Sequence, residues 1–532
     1  NQAIGGLVGL IPRTISGDAG DAEISYGSYG TARASGYAQT MLSPNVGIAA
    51  TAQWFQTDGF VKAADGDRGL VDIPSSARNA LGALAAEWTG DSGARARLRG
   101  ETFRESFSLG TPDSREDRTI SDVAAEGDVP TGASSALHLS GFFQHQQLSF
   151  ANVAFIGSGR NDEFRANTHA DPIQALGGSA MWTHASGSAL SLLAVGLDAQ
   201  QNRGEDRATN FSSAGAVTQL ANAGGEQLFS GAFVEATLDL SPRWHVLANA
   251  RVDSWRNSGG HLETEPGDAT DYAPETKSHF DPRLAVRYEA TPALALRAAG
   301  YRGFRAPYIR ELYYGALAKT MLSLPNPELG PESATGGEFG ADLTLGRVQL
   351  QTTAFRTAID DMIGTVTTQS TPIRIVKIFN VGTGRSQGVE TALGWAPSPA
   401  FHFQATYAYT DARVTSSDLD PTIPGSHIPY VPRHLLTGSV AVRIPLAGTL
   451  AVDGRSQSVT YLDAANRLRL DPSTVFDAAL TTDIVAGIQT RLAVTNIFDR
   501  RYVADVTVGR QIGDPCEVTL AVRWSFAAAP AH

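Results

Sequence analysis

Six arginines, Arg251, Arg287, Arg297, Arg302, Arg305 and Arg310, recur along the middle of the chain, with Tyr301 and Tyr313 beside the last of them. Guanidinium groups lining a cavity select anionic solutes by charge and by paired hydrogen bonds. The same groups could instead pair with facing Asp and Glu in a strand wall, and residue type alone leaves both readings open. Binding is therefore the chemistry on offer, and bond-making is not. Ser158 and Ser188 lie among turn glycines, without the strand-to-helix setting of an activated nucleophile, and neither H-E-x-x-H nor a phosphate-cradling glycine loop occurs. No catalytic residue and no cofactor is expected. The 11 histidines are scattered; a pair such as His138 and His145 lacks close spacing to a third ligand, so no metal site is expected either. Carboxylates gather in two polar stretches, one with Glu116, Asp117, Asp122, Glu126 and Asp128, the other with Glu263, Glu265, Asp268, Asp271 and Glu275. Neither has the defined spacing of a calcium loop, and a solvated acidic surface accounts for both. The one cysteine, Cys516, excludes an intrachain disulfide or cysteine cluster. A net charge of −12 without a basic, aromatic-interleaved stripe excludes nucleic acid as a partner.

The elements that would hold such side chains are strands. Apolar residues make up 42% of the chain and charged residues 18%, yet no run reaches the ~18 consecutive apolar residues of a membrane helix. Alternation recurs instead. In the stretch 244–253, Trp244, Val246, Ala248, Ala250 and Val252 form one face, whereas His245, Asn249, Arg251 and Asp253 stand on the other. Such stretches run to about ten residues, as a tilted membrane-crossing strand requires. Val246 and Val522 are thus expected to face lipid, and Asn249 and Thr519 a lumen. Aromatic residues near the strand ends (Trp88, Trp244, Tyr407, Tyr409, Trp524 and Phe526) are expected to form girdles at the bilayer surfaces.

Connections come in two kinds. Short turns are expected near Pro44, Gly90, Gln146-Gln147, Ser186, Pro242, Pro292, Gly346, Pro399, Ala447 and Gly487. Long polar loops are expected over 104–131, 157–172, 201–226, 256–280 and 410–432. Ten short turns join twenty strands, and one more at each end predicts an all-β, closed antiparallel transmembrane barrel of about 22 strands.

Residues 301–332, YRGFRAPYIRELYYGALAKTMLSLPNPELGPE, carry the most informative wording. They leave an alternating strand and end in a Pro-rich segment that cannot sit inside a sheet. Phe304-Arg305-Ala306-Pro307, followed by Asn326-Pro327-Glu328-Leu329, resembles the FRAP and NPxL region of TonB-dependent outer-membrane receptors. Asn380-Val381-Gly382 with Gly388 and Glu390 is similar to that family's N-x-G…x-G-x-E strand. The stretch 494–502, with Asn496, Phe498 and Tyr502, is similar to its penultimate strand, and a last strand ending at Phe526 resembles its C-terminal insertion signal.

The resemblance implies active uptake of a scarce, bulky solute across the bacterial outer membrane, driven by TonB acting on a plug. The solute would be a small molecule or metal chelate, a ferric siderophore or cobalamin-like molecule. Haem ranks lower, because the stretch 308–325 holds no histidine and haem receptors of the family carry one there. Residues 1–16 are similar to the end of a plug and its lead-in, 17–526 to the barrel, and 527–532 would be an extension. Nearly all of the plug is then absent from this chain, which is not expected to transport by itself. Outer-membrane lipid and lipopolysaccharide are the expected surroundings of a monomer. A passive porin and a soluble β-rich binding or adhesion protein are the alternatives.

Overall fold

The computed structural model describes residues 13–157, 159–318, 321–369, 374–507 and 509–527. The plug-like stretch 1–12 and the end of the chain, 528–532, lie outside the described residues. One sheet holds 23 paired segments, of which Ala269–Asp271 is a three-residue flap on the hairpin of Trp244–Glu265. The wall proper is 22 antiparallel strands. It closes where the first strand, Ala19–Gly27, pairs along its whole length with the last, Glu517–Ala527, from Ala19↔Ala527 to Gly27↔Thr519.

The two faces divide as the alternation predicts. Val518, Leu520, Val522, Trp524 and Phe526 are all exposed on the outer side of the closing strand. In Trp244–Glu265, Val252 faces out, while Asp253, Trp255 and Asn257 are buried on the inside. Trp88, Trp182, Trp244, Trp395 and Trp524 are exposed close to the short turns, an aromatic girdle at the rim that the resemblance makes periplasmic.

Nine of the ten short turns fall where expected. The exception is Gln146-Gln147, which lies inside the strand Ser135–Phe155; the turn is at Ala133-Ser134. The expected long loops are also mostly strand. The stretch 104–131, for example, is the top of Arg95–Thr111, a tight tip, and the strand Ser114–Gly132. Both errors have one cause. Strands such as Val217–Ser241 run to 25 residues, about 80 Å at ~3.3 Å per residue, whereas the bilayer takes only ~9–11. Above the lipid both faces meet water, so apolar alternation stops while backbone pairing continues. A third departure concerns 494–502: the strand Ile488–Thr495 ends before Asn496, and Asn496 and Asp499 adopt positive φ in a turn.

Position along the strand sets what a charge costs. Val246 lies two residues from the Trp244 rim, whereas outward-facing Val234 pairs with Val195 and Ala250 nearer mid-wall. Val234→Arg is expected to destabilise the barrel by about 2–4 kcal/mol, and Val246→Arg by about 1 or less. Lumen-side Asn249→Arg is expected to be mild. Unfolding titrations in lipid vesicles check this, and equal tolerance at Val234 and Asn249 would contradict the face assignment.

Candidate functional site

The stretch after the strand Leu294–Arg305 folds into the barrel mouth, and its residues show why. Pairing with Glu275–Thr291 stops at Arg283↔Tyr301, but pairing with Glu332–Leu345 continues to Arg305↔Glu332. The strand therefore peels away from one neighbour. Phe304, on the face that lower down meets lipid, is instead buried and stacks on His279 at 4.1 Å. Beyond it, the helix Ile309–Tyr313 lies against the strands Val217–Ser241 and Trp244–Glu265. Phe304, Ala306, Leu312, Tyr313, Tyr314 and Leu329 join Trp255, Phe229 and Ala223 in one buried cluster. Glycine makes room for it. A Cβ on Gly225 or Gly260 would stand 2.5 Å from the Tyr313 ring.

Polar groups fix the same segment. The Arg305 guanidinium bridges Glu332 at 2.7 Å and Glu311 at 3.1 Å, and Glu311 also accepts the Tyr308 N–H at 2.8 Å. Gln227 Nε2 donates to the Pro307 carbonyl at 2.8 Å. Asn326 donates to the Ile378 carbonyl, and Asn380 both accepts the Gly330 N–H and donates to the Gly330 and Asp361 carbonyls. Met321–Leu324 runs parallel to Arg374–Asn380 in a four-stranded sheet that joins the two neighbouring loops. Three motifs far apart in sequence are thus one clasp.

The predicted site residues divide accordingly. Arg251 is held between Asp198 and Asp253, Arg287 between Glu289 and Asp342, and Arg297 by Asp342. Arg310 approaches Asp171 at 3.7 Å and lies over the Phe150 ring. Tyr313 is a packing residue, and the Tyr301 ring covers Gly336. Only Arg302 among the six is exposed with no ion-pair partner among the described residues. Of the remaining motif residues, Gly388 lets the Tyr409 carbonyl approach a space that a Cβ would fill, and Glu390 opposes Thr353 and Ala408 in the wall. Buried Asn496 ties Arg500 to Asp514, Phe498 packs edge-on to Phe476, and the Tyr502 ring covers Gly513. These are structural duties. A cavity of about 770 Å³ lined by Gly36, Ala38, Ala50, Gly82 and Phe526 opens on the lipid face, not the lumen.

Behind Arg310 lies a group that sequence spacing did not reveal. His169 and Asp171 project from Glu163–Ala185, and Asp206 from Leu190–Phe211; all three are buried. Exposed Gln174 on the outer face, and apolar Leu176 and Trp182 below it, place them above the membrane-crossing part of the strand. Burial and the neighbouring Asp206 carboxylate push Asp171 up to about 8. The one signal in the sequence is the shared face of His169 and Asp171, which exists only because 163–172 is strand and not loop.

The clasp makes a measurable prediction. Arg305→Ala would leave Glu311 and Glu332 without their cation, at about 2–3 kcal/mol for charged hydrogen bonds. Amide exchange over Ile309–Tyr313 is expected to accelerate about 30-fold or more. Arg305→Lys should recover only part, since an ammonium lacks the planar fork. Unchanged exchange in the alanine variant would contradict the clasp.

Comparison with known proteins agrees with this architecture. The pattern of the family described as "TonB dependent receptor-like, beta-barrel" matches residues 53–497. The chain is 27% identical over 231 residues to the vitamin B12 transporter BtuB of Photobacterium profundum, covering 43% of this chain and 35% of that protein. It is 35% identical over 136 residues to the ferrichrome outer membrane transporter/phage receptor of Escherichia coli K12, covering 24% and 18%. The matches thus span about a third or less of these relatives, which are named as transporters and receptors. Among solved structures, copper transporter OprC superposes with a TM-score of 0.80 at 14% identity, over 97% of this chain and 82% of that one. The ferric yersiniabactin receptor FyuA of Yersinia pestis gives 0.76 at 16%, over 97% and 81%. A closed 22-strand wall, a lipid-facing apolar surface and a family match across most of the chain lead to one conclusion: this is an outer-membrane protein, and it belongs to the TonB-dependent receptor-like β-barrel family.

Proposed function

We propose that the protein serves TonB-energised uptake of a bulky metal chelate, a ferric siderophore foremost and a cobalamin-like solute next. The observation that carries this reading is the clasped segment at the mouth, which leaves Arg302 exposed and, among the described residues, without an ion pair within 4 Å, while Arg251, Arg287, Arg297, Arg305 and Arg310 are all held by carboxylates. Exposed Tyr308 stands beside it, under the Arg305 guanidinium. A cation and an aromatic ring on a rigid support suit a charged, partly aromatic solute. The absence of histidine from 308–325 supports a chelate over haem. A wall closed by its first and last strands has no edge left to pair, which supports a monomer surrounded by lipid and lipopolysaccharide. The division into a lead-in over 1–16, a barrel over 17–526 and an extension over 527–532 belongs to the same proposal, as does contact with TonB through a plug.

The test uses cells without their own siderophore and cobalamin receptors, expressing the full gene product and supplied with ferrichrome, a ferric catecholate or cyanocobalamin. Saturable, TonB-dependent uptake of one of them is expected. Arg302→Ala should raise its half-saturating concentration about tenfold or more, as loss of a hydrogen bond to a charged group does. Unsaturable uptake that is indifferent to TonB would overturn the proposal in favour of a diffusion channel.

A further inference from the structure

His169, Asp171 and Asp206 pose a problem of hydrogen-bond direction. Asn152 Nδ2 donates to Asn167 Oδ1 at 2.9 Å, so that oxygen is an acceptor, and His169 Nε2, 3.1 Å from it, must donate. A neutral ring then presents only a lone pair at Nδ1. Yet Nδ1 faces Asp206 Oδ1, a second acceptor, at 2.7 Å. Something positive has to lie between them. Independently, Asp171 is 2% exposed and its Oδ1 has no hydrogen-bond partner among the described residues, an arrangement that costs free energy unless a ligand completes it. One ligand atom from each of the three residues lies within 4.8 Å of the other two.

We propose that His169 Nδ1 and the carboxylates of Asp171 and Asp206 bind one divalent transition-metal ion of the zinc type. One imidazole and two carboxylates make a zinc donor set, whereas calcium and magnesium ask for six or more oxygens. Ligands at ~2.0–2.1 Å in tetrahedral geometry stand about 3.3 Å apart, so Asp206 needs to withdraw only about 0.6 Å from Nδ1. The Nε2–H bond to Asn167 is the outer-shell contact that sets the tautomer of a metal-bound histidine, and Phe150, stacked on the ring at 4.4 Å, holds its plane. Arg310 is the competitor. Its Nη1 lies 3.7 Å from Asp171 Oδ2 and its side chain is 52% exposed, so it can swing away to admit the ion. Because Arg310 belongs to the mouth helix, metal binding is coupled to the clasped segment.

The protein is stripped with EDTA, then titrated with Zn²⁺ against a chromophoric chelator and with Co²⁺ followed by its visible d–d absorption. One ion per chain is expected. Asp171→Asn should weaken zinc binding by more than ~10-fold, since even outer-shell partners of a metal site are worth that much. Arg310→Gln, at a half-exposed position, should tighten it by removing the competing cation. Failure of the wild-type protein to bind stoichiometric zinc would mean that a proton bridges His169 and Asp206, and would overturn the proposal. Equal affinity in Asp171→Asn, or weaker binding in Arg310→Gln, would do the same.

Discussion

Water is absent from the bilayer core, so every backbone N–H and C=O that crosses it must find a partner within the protein. A closed cylinder is the solution that this chain adopts, and it closes at the seam between Ala19–Gly27 and Glu517–Ala527. Those strands are the most distant in sequence, yet nine register pairs join them. Their closure sets the circumference, and the circumference sets how far the mouth segment must reach to touch the opposite inner wall. Lipid-facing valine and alanine contribute little specificity here. Pairing, rather than burial of an apolar core, holds the wall.

An apolar core does form, but at the mouth and from the family's own motif. Trp255 and Phe229 point inward from the wall and would meet water if the segment after Leu294–Arg305 stayed on the rim. Folding that segment inward buries them, and the Arg305, Gln227 and Asn380 hydrogen bonds satisfy the polar backbone carried in with it. Residues such as Arg305 and Tyr313, read from the sequence as solute contacts, are also held in the ion pairs and packing of this clasp. The surface proposed for solute is what the clasp exposes.

Charge on the inner wall follows the same economy. Removing one member of a buried ion pair strands the other at several kcal/mol, so arginines placed deep in the wall come with carboxylates on facing strands. Asp198 and Asp253 together hold Arg251, whose side chain is 12% exposed. Arg302, where the strand peels away and solvent enters, makes no such close pair among the described residues, and there an exposed charge is cheap to keep.

Alternation, turn residues and two tetrapeptides by themselves determined the closed barrel, the strand number, the lipid and lumen faces, and the family. These properties are local: period two along a strand and glycine or proline at a turn depend on near neighbours in the chain. Strand height was not legible, because above the lipid both faces are polar while pairing persists, as in Ser114–Gly132. Nor was the pairing of the arginines, since Arg251 meets Asp198 across 53 residues and Arg305 meets Glu332 across 27. Only the tertiary structure decided these, along with the meeting of His169 and Asp171 with Asp206, because register between strands brings together side chains that sequence spacing keeps apart.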